Sequence, residues 1–329
     1  MDKENVVLFG MLNSLKLASE ISNLLNIPVS KIERTVYADG EVMLVSEHTV
    51  RDKDVFLIAS ASRPVNDNIM ELLLFVDSLK RGSARSINVI LSYYGYARQD
   101  RKASGRQPIG AKLVADLLQK AGVTKITCVD LHNPSIQGFF DIPVDELKGQ
   151  YPIAYALKQT GEKFTVVSPD HGGTVRARTL AELIADTVQI CIIDKRRTEV
   201  NKTEVMGILG NIENQNAVII DDIIDTGGTI LKAVETLKQK GAKKIIVAAS
   251  HGIFTKGFEV FENHPDVDRV IITNSIDNSS WANKYKKLNV VSLGPFLARV
   301  INASLTKSSI SSVYKDFRKE ISLCTKEKC

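Results

Sequence analysis

The chain has no uninterrupted apolar stretch approaching the ~18 residues that a membrane-crossing helix needs, so no membrane partner is expected. Its opening, MDKENVVLFG, sets an acidic residue ahead of the first apolar run and lacks a basic segment leading into one, so a secretory leader is not expected either. Cysteine is scarce, with four in 329 residues, at Cys128, Cys191, Cys324 and Cys329. None has the spacing of a metal site or a redox motif. The first two sit in apolar runs as small buried hydrophobes and the last two in a polar tail, which reads as a protein of the reducing cytoplasm. Neither a GxGxxG turn nor a P-loop with its lysine is present, which argues against a nicotinamide dinucleotide fold and a P-loop ATPase. A broad basic stripe is missing too. Lys plus Arg is 43 against 38 Asp plus Glu, a net charge of +5, which suits small anions as ligands and gives no reason to expect a nucleic-acid partner.

What is present is ample apolar material. Hydrophobic residues make up 44% and charged residues 25%, which excludes a disordered or fibrous chain. A length of 329 residues predicts two domains of about 150 residues each. Strand and helix patterns alternate. The buried run DVFLIAS (residues 54–60) precedes a helical stripe of Ile69, Leu72, Leu73, Val76 and Leu79 that stops before Gly82. INVILSYY (87–94) precedes PIGAKLVADLLQKAG, with Pro108 in a first helical turn and Gly122 at the exit, and ITCV (126–129) closes that series.

A second series follows the turn-rich GQYP (149–152). It comprises the strand FTVVS (164–168), a helix over VRARTLAELIADT, strands QICII and AVII (217–220), a helix over TILKAVETLKQKG and the strand KKIIVAAS. Short apolar runs alternating with amphipathic helices predict α/β architecture, with mainly parallel sheets covered on both faces, duplicated in tandem. The last residues, CTKEKC, have no pattern and are expected to fray.

The most informative segment is AVIIDDIIDTGGTI. Its strand is read as ending at Ile220, followed by Asp221 and Asp222 and then by the strand-to-helix loop Asp225, Thr226, Gly227, Gly228 and Thr229. Ligands of open α/β sheets sit beyond the carboxyl ends of strands. The two glycines let backbone N–H groups converge, the next helix adds the positive end of its dipole, and the Thr hydroxyls add donors, which together suit a phosphate monoester. The paired carboxylates cannot bind phosphate, but they can accept hydrogen bonds from sugar hydroxyls or hold a metal. Phosphate donors beside diol acceptors describe a pentose phosphate.

SPDHGGTVRA repeats that geometry, with Asp170, His171, Gly172 and Gly173 preceding a helix near Thr174 and Asp170 placed to meet a cation. Two basic clusters follow strands: Arg98, Arg101, Lys102 and Arg106 in YARQDRKASGR, and Lys195, Arg196 and Arg197 in IIDKRR. Residues 98–106 and 194–197 carry net charges of +3 and +2, which equal the whole surplus. His132, in DLH after ITCV, stands beside Asp130 at another strand end, where it can ligate a metal.

Together these motifs resemble the ribose-phosphate diphosphokinase family, also called phosphoribosyl pyrophosphate synthetases. The resemblance lies in YADGE (37–41), NDNIMELL, YYGYARQDR, PIGAKLVADLL, VDLHNPSIQGFF, VVSPDHGGTVRARTLA, IIDKRR, DDIIDTGGT and SHGIF (250–254), and covers nearly the whole chain. It implies two tandem phosphoribosyltransferase-type domains: residues 1–149 with the ATP-contacting segments, and residues 150–329 with the sugar and pyrophosphate loops, the tail packing back on the first. The implied reaction moves the diphosphoryl group of ATP to the 1-hydroxyl of ribose 5-phosphate and releases AMP, with Mg2+ as cofactor. Carried over by motif, Asp225, Thr226, Gly227, Gly228 and Thr229 resemble the ribose 5-phosphate loop, with Asp221 and Asp222 near the sugar hydroxyls. Asp170, His171, Gly172 and Gly173 resemble the pyrophosphate loop, and His132 and Asp170 the magnesium ligands.

Arg98, Gln99, Asp100 and Arg101 resemble the ATP-contacting run, and Tyr37, Asp39 and Glu41 the segment that a neighbouring subunit offers to adenine, with Tyr where the family usually has Phe. Lys195 and Arg197 resemble the catalytic pair, and the polar segment TEVNKTEVMGILGN (198–211) is expected to be a mobile loop that closes to exclude water. The family's common form is a homohexamer built from dimers, activated by phosphate and inhibited by ADP. Arg106, Gln137, Ser309 and Ser311 resemble parts of its effector site. A base-salvage phosphoribosyltransferase would explain DDIIDTGGT but leave RQDR and DLH idle. A catalytically silent regulatory homologue would have lost motif residues that are intact here.

Overall fold

The computed structural model describes residues 5–185, 188–199 and 202–324, with the backbone alone described for residues 195–199 and 202–206. Two compact units emerge: Met1–Lys148 with Ser275–Asp277 and Leu293–Ile310, and Gly149–Asn274 with Asn278–Ser292 and Ser311–Cys329. Among the described residues, no helix is long and apolar enough to cross a membrane.

The first unit contains β1 (Val6–Gly10), α1 (Leu15–Leu25), β2 (Val29–Ser30), β3 (Ile32–Val36), β4 (Val42–Ser46), β5 (Asp54–Ala59), α2 (Val65–Arg81), β6 (Ser86–Leu91), α3 (Gly110–Ala121), β7 (Lys125–Val129) and β8 (Val144–Leu147). Its sheet has the order β2-β1-β5-β6-β7-β8, and every pairing is parallel. Parallel strands buried on both faces explain the runs without alternation in the sequence. On α2 the buried stripe is Ile69, Leu72, Phe75, Val76 and Leu79, and the helix stops where the Gly82 N–H turns back to Ser78 O at 2.8 Å. Phe9 meets Phe75 edge-on, ring centres 5.1 Å apart, in a core shared with Leu57, Val89, Leu118 and Ile126. Helix α3 begins at Gly110 with Ile109 as its cap, so Pro108 lies just ahead of the first turn and not within it.

The second unit contains α4 (Gln150–Gln159), β9 (Thr165–Ser168), α5 (Thr174–Ile184), β10 (Ile190–Glu199), β11 (Lys202–Leu209), β12 (Ala217–Ile224), α6 (Gly228–Gln239), β13 (Ile245–Gly252), α7 (Glu259–Glu262), β14 (Arg269–Thr273), α8 (Ser279–Ala282) and β15 (Leu288–Val291). Its sheet order is β11-β10-β9-β12-β13-β14-β15, parallel except for the antiparallel β10–β11 pair. The chain then adds α9 (Gly294–Leu305), which returns to the first unit, and α10 (Ile310–Leu323), most of which belongs to the second. Helix α10 buries Val313, Phe317 and Ile321, and its Tyr314 packs edge-on against Tyr151 at 4.8 Å.

Two expectations about the second unit's strands are corrected. The segment 198–211, expected as a loop, lies largely in the β10–β11 hairpin, where Arg197 registers with Thr203 and Lys195 with Val205. Its Thr and Val content favours extended pairing over an open loop. Strand β12 does not end at Ile220. It pairs with β13 as far as Ile224 opposite Gly252, so Asp221 and Asp222 are strand residues. Cys128 and Cys191 are free buried thiols, as their apolar surroundings predict.

Candidate active site

In the second unit the carboxyl ends of β9, β10, β12 and β13 share one edge of the sheet, and the candidate loops gather there. The turn after β9 is held by its own side chains. Ser168 Oγ donates to Asp170 O at 2.6 Å, Gly173 N to Asp170 Oδ1 at 2.9 Å, and Thr174 Oγ1 to His171 O at 2.7 Å. A Cβ on Gly173 would lie 2.8 Å from Ser168 Oγ, which is the physical reason for glycine there. His171 Nε2 lies 3.0 Å from Asp194 Oδ1, joining this turn to β10 immediately before Lys195. The side chains of Lys195 and Arg197 lie outside the described residues.

The loop after β12 turns through Gly227 at φ +82°, in the left-handed region open to glycine, and α6 starts at Gly228. A Cβ at Gly227 would stand 2.7 Å from Phe261 Cζ, whereas one at Gly228 would meet nothing within 4 Å. Phe261 belongs to an aromatic bed with Phe254 and Phe258, ring centres 5.8 and 5.7 Å away. Thr255 Oγ1 donates to Asp225 Oδ1, bracing the loop from the end of β13. Asp222 is 4% exposed. Burial, and then the neighbouring Asp222, push the Asp221 carboxyl above its ordinary range, opposed by Arg176. Arg176 Nη1 donates to Asp221 Oδ1 at 3.2 Å, and its Nη2 lies 3.5 Å from Asp222 Oδ1.

In the first unit, the segment carrying Arg98, Gln99, Asp100 and Arg101 is wedged between the start of α3 and the loop after β7. Tyr94 Oη donates to Ala111 O at 2.9 Å, Ala111 N to Gln99 O at 3.2 Å, and Asn133 Nδ2 to Asp100 Oδ2 at 2.7 Å. The last bond brings RQDR and the DLHN loop of His132 together. Arg98, Arg101 and His132 are exposed, and Asp130, at the end of β7, is buried with φ +37°.

Tyr37, Asp39 and Glu41 stand elsewhere, at the tip of the β3–β4 hairpin, where Tyr37 N donates to Glu41 O at 2.8 Å and Glu41 N to Asp39 Oδ1 at 3.1 Å. That hairpin is tied to α2 by the Arg34–Glu71 ion pair at 2.6 Å, and Tyr37 is 47% exposed. Of the expected effector residues, Gln137 Nε2 donates to Pro134 O and Glu146 Oε2, Arg106 is exposed at φ +67°, Ser309 precedes α10 and Ser311 lies in its first turn.

Among the described residues, no group of three or more His, Cys, Asp or Glu side chains could cage a metal ion. Mg2+ bound with a nucleotide takes one or two protein ligands and completes its octahedron with phosphate oxygens and water. An exposed strand-end carboxylate such as Asp170 suits that limited share, being a hard oxygen donor. Sequence reading missed four contributors: Arg176, Asn133, Thr255 and Phe261. Only Arg176 had a local signal, its place one turn after the Gly-Gly pair.

Comparison with known proteins adds to this geometry. Residues 152–285 match the phosphoribosyl transferase domain, and residues 6–122 match the N-terminal domain of ribose phosphate pyrophosphokinase. Sheet, glycine loops and carboxylate pair thus define an α/β protein of the phosphoribosyltransferase class, built from two such domains. A ribose-phosphate pyrophosphokinase of Mycoplasmopsis pulmonis is 61% identical over 317 residues, spanning 96% of this chain and 99% of that protein. That of Bacillus subtilis is 44% identical over 313 residues, spanning 94% and 98%. The crystal structure of phosphoribosylpyrophosphate synthetase from Mycobacterium smegmatis matches with a TM-score of 0.84 at 36% identity, covering 92% of this chain and 100% of that one. The chain belongs to the ribose-phosphate pyrophosphokinase family.

Proposed function

We propose that this chain transfers the β,γ-diphosphoryl group of ATP to the 1-hydroxyl of ribose 5-phosphate, giving 5-phospho-α-D-ribose 1-diphosphate and AMP. The observation that carries this reading is the Asp100–Asn133 hydrogen bond that braces RQDR against the DLHN loop. A transferase that consumes the activated sugar needs the loops of the second unit but has no use for this brace. The family relatives are named for the same activity.

In this reading the two units divide the labour, residues 1–149 contacting ATP and residues 150–329 holding the sugar. The 5-phosphate rests on the N–H groups of Asp225, Thr226, Gly227, Gly228 and Thr229 at the start of α6. Asp221 and Asp222 accept hydrogen bonds from the 2- and 3-hydroxyls, which fixes the 1-hydroxyl. Asp170, His171, Gly172 and Gly173 hold the diphosphoryl group. Arg98, Gln99, Asp100 and Arg101 hold the nucleotide, and Tyr37, Asp39 and Glu41 are offered to the adenine of a neighbouring subunit. The 1-hydroxyl oxygen attacks the β-phosphorus, the bond from that phosphorus to the oxygen shared with the α-phosphorus breaks, AMP leaves with the electron pair, and the hydroxyl proton is released.

Negative charge gathers on the transferring oxygens, so cations contribute more than a nucleophilic side chain would. Lys195 and Arg197 supply them from β10. When bound, Mg2+ would neutralise charge on the ATP phosphates, and the residues that would hold it are Asp170 of the second unit and His132 of the first.

Self-association as a homohexamer built from dimers accompanies this reading, supported by exposed Met70 and Leu74 on α2 and Leu113 and Leu117 on α3. Phosphate and ADP are its effectors, through Arg106, Gln137, Ser309 and Ser311, and its compartment is the cytoplasm. The test is AMP formation from ATP with and without ribose 5-phosphate, beside a reaction of the 1-diphosphate sugar with purine bases. Sugar-dependent AMP release supports the reading. AMP release no faster with the sugar than without it, together with base-dependent diphosphate release, would assign salvage instead.

A further inference from the structure

The acidic pair inside β12 raises a physical problem. Asp221 and Asp222 are consecutive, Asp222 buried and the Asp221 side chain 24% exposed. Burial raises the Asp221 carboxyl, and each carboxylate disfavours the charge on the other, which raises it further. A diol site needs both as acceptors. Arg176, from the first turn of α5 and with its side chain 16% exposed, reaches both. Its Nη1 donates to Asp221 Oδ1 at 3.2 Å, and its Nη2 stands 3.5 Å from Asp222 Oδ1. Asp221 Oδ1 also accepts from Asp222 N at 2.9 Å. Two of the protein's donors therefore converge on Oδ1 of Asp221. A planar guanidinium presents two parallel donors at fixed spacing, whereas an ammonium is a single point of charge.

We propose that Arg176 is the positioning residue of the diol site, holding Asp221 and Asp222 from one guanidinium so that both carboxylates face the 2- and 3-hydroxyls of ribose 5-phosphate. This rests on the proposed function and adds a residue to it. Arg176 acts through the carboxylates and touches neither the transferring phosphorus nor the nucleotide. Its loss therefore weakens sugar binding selectively.

The experiment measures kcat and KM for both substrates in the full chain, for wild type, Arg176→Gln, Arg176→Lys, Asp221→Asn and the Arg176→Gln/Asp221→Asn double variant, with thermal melting as the control for folding. Because one half-buried guanidinium holds two carboxylates, Arg176→Gln should raise the KM for ribose 5-phosphate by about tenfold or more. The KM for ATP should stay within about threefold of wild type, since Arg176 does not meet the nucleotide. Arg176→Lys keeps the charge without the fork and should fall between the two, and it carries the test if the Gln variant does not fold.

Because the residue acts through Asp221 and Asp222, Arg176→Gln should have a smaller effect in the Asp221→Asn background than in wild type, the remainder passing through Asp222. Full multiplication of the two effects in the double variant would overturn the proposal. So would a lost kcat with unchanged KM for ribose 5-phosphate, which would put Arg176 on the diphosphoryl group. A wild-type enzyme that releases no AMP with ribose 5-phosphate would instead overturn the proposed function, and this inference with it.

Discussion

Replacing Gly227 with Ala probes the proposed sugar-phosphate loop at a close contact. The backbone there has φ +82°, and the left-handed region costs a residue with a side chain roughly 1–2 kcal/mol. The new methyl would also sit 2.7 Å from Phe261 Cζ and 2.9 Å from Cε2. Phe261 is fully buried and stacked on Phe258, so it has no room to withdraw, and overpacking of this kind costs roughly 1–3 kcal/mol. The sum is about 2–5 kcal/mol, which for a unit of this size lowers the melting temperature on the order of 10 °C.

The same displacement turns the N–H groups of residues 226–229 away from a common point, so the KM for ribose 5-phosphate rises while that for ATP does not. Calorimetry and initial-rate kinetics read the two effects. Gly228→Ala is the internal control, since its methyl meets nothing within 4 Å and its melting temperature should stay close to wild type. Trimming the ring in Gly227→Ala/Phe261→Leu should recover part of the lost stability. A Gly227→Ala protein with wild-type melting and wild-type KM for the sugar would refute the reasoning.

Three further outcomes are expected. Ala at Lys195 or Arg197 should lower kcat far more than it raises the KM for ribose 5-phosphate, and a purified variant with near wild-type kcat would remove that residue from the transition-state role. Tyr37→Ala should raise the KM for ATP whereas Tyr37→Phe should leave it near wild type, because stacking on adenine needs the ring and not the hydroxyl. Asp54 is held below the usual carboxylate range chiefly by its hydrogen bond from Arg85, with burial opposing and Ser86 adding to it. Its contribution is therefore present above the unfolded value of about 3.9 and is lost as pH falls through the lower folded value. Asp54→Asn should lower the melting temperature at pH 7, and the gap to wild type should close in acid. The pair is part exposed, so the effect should not exceed about 1 kcal/mol.

The strand-end loops were legible because their chemistry is local. Asp170 to Gly173 and Asp225 to Thr229 each put glycine, donors and a helix start within five residues. The braces of those loops were not legible. Thr255 reaches Asp225 and Asn133 reaches Asp100 across 30 and 33 residues, and nothing in either segment names its partner. Arg176 has a local signal in its place one turn after the Gly-Gly pair, but only the packing of α5 beside β12 sets it against two carboxylates. The elements differ in the same way. Helix α2 announces itself by its stripe and its stop at Gly82, whereas the length of β12 depends on pairing with β13, which carries Asp221 and Asp222 into the sheet. The β10–β11 hairpin was missed because polar residues on paired strands look like loop residues when polarity alone is read. Strand β1 supplies Phe9 to the first core and helix α1 buries Leu17 and Ile21, yet the stretch before Tyr37 carries no motif chemistry to mark it.

The central claim is the bond that breaks, between the α- and β-phosphates of ATP. Phosphorus NMR of a reaction with equal ATP and ribose 5-phosphate tests it directly. The account predicts AMP and a sugar diphosphorylated at C1 in equal amounts, with the sugar's 5-phosphate retained. ADP together with a sugar bearing a single new phosphate would place the cleavage at the γ-phosphate and contradict it.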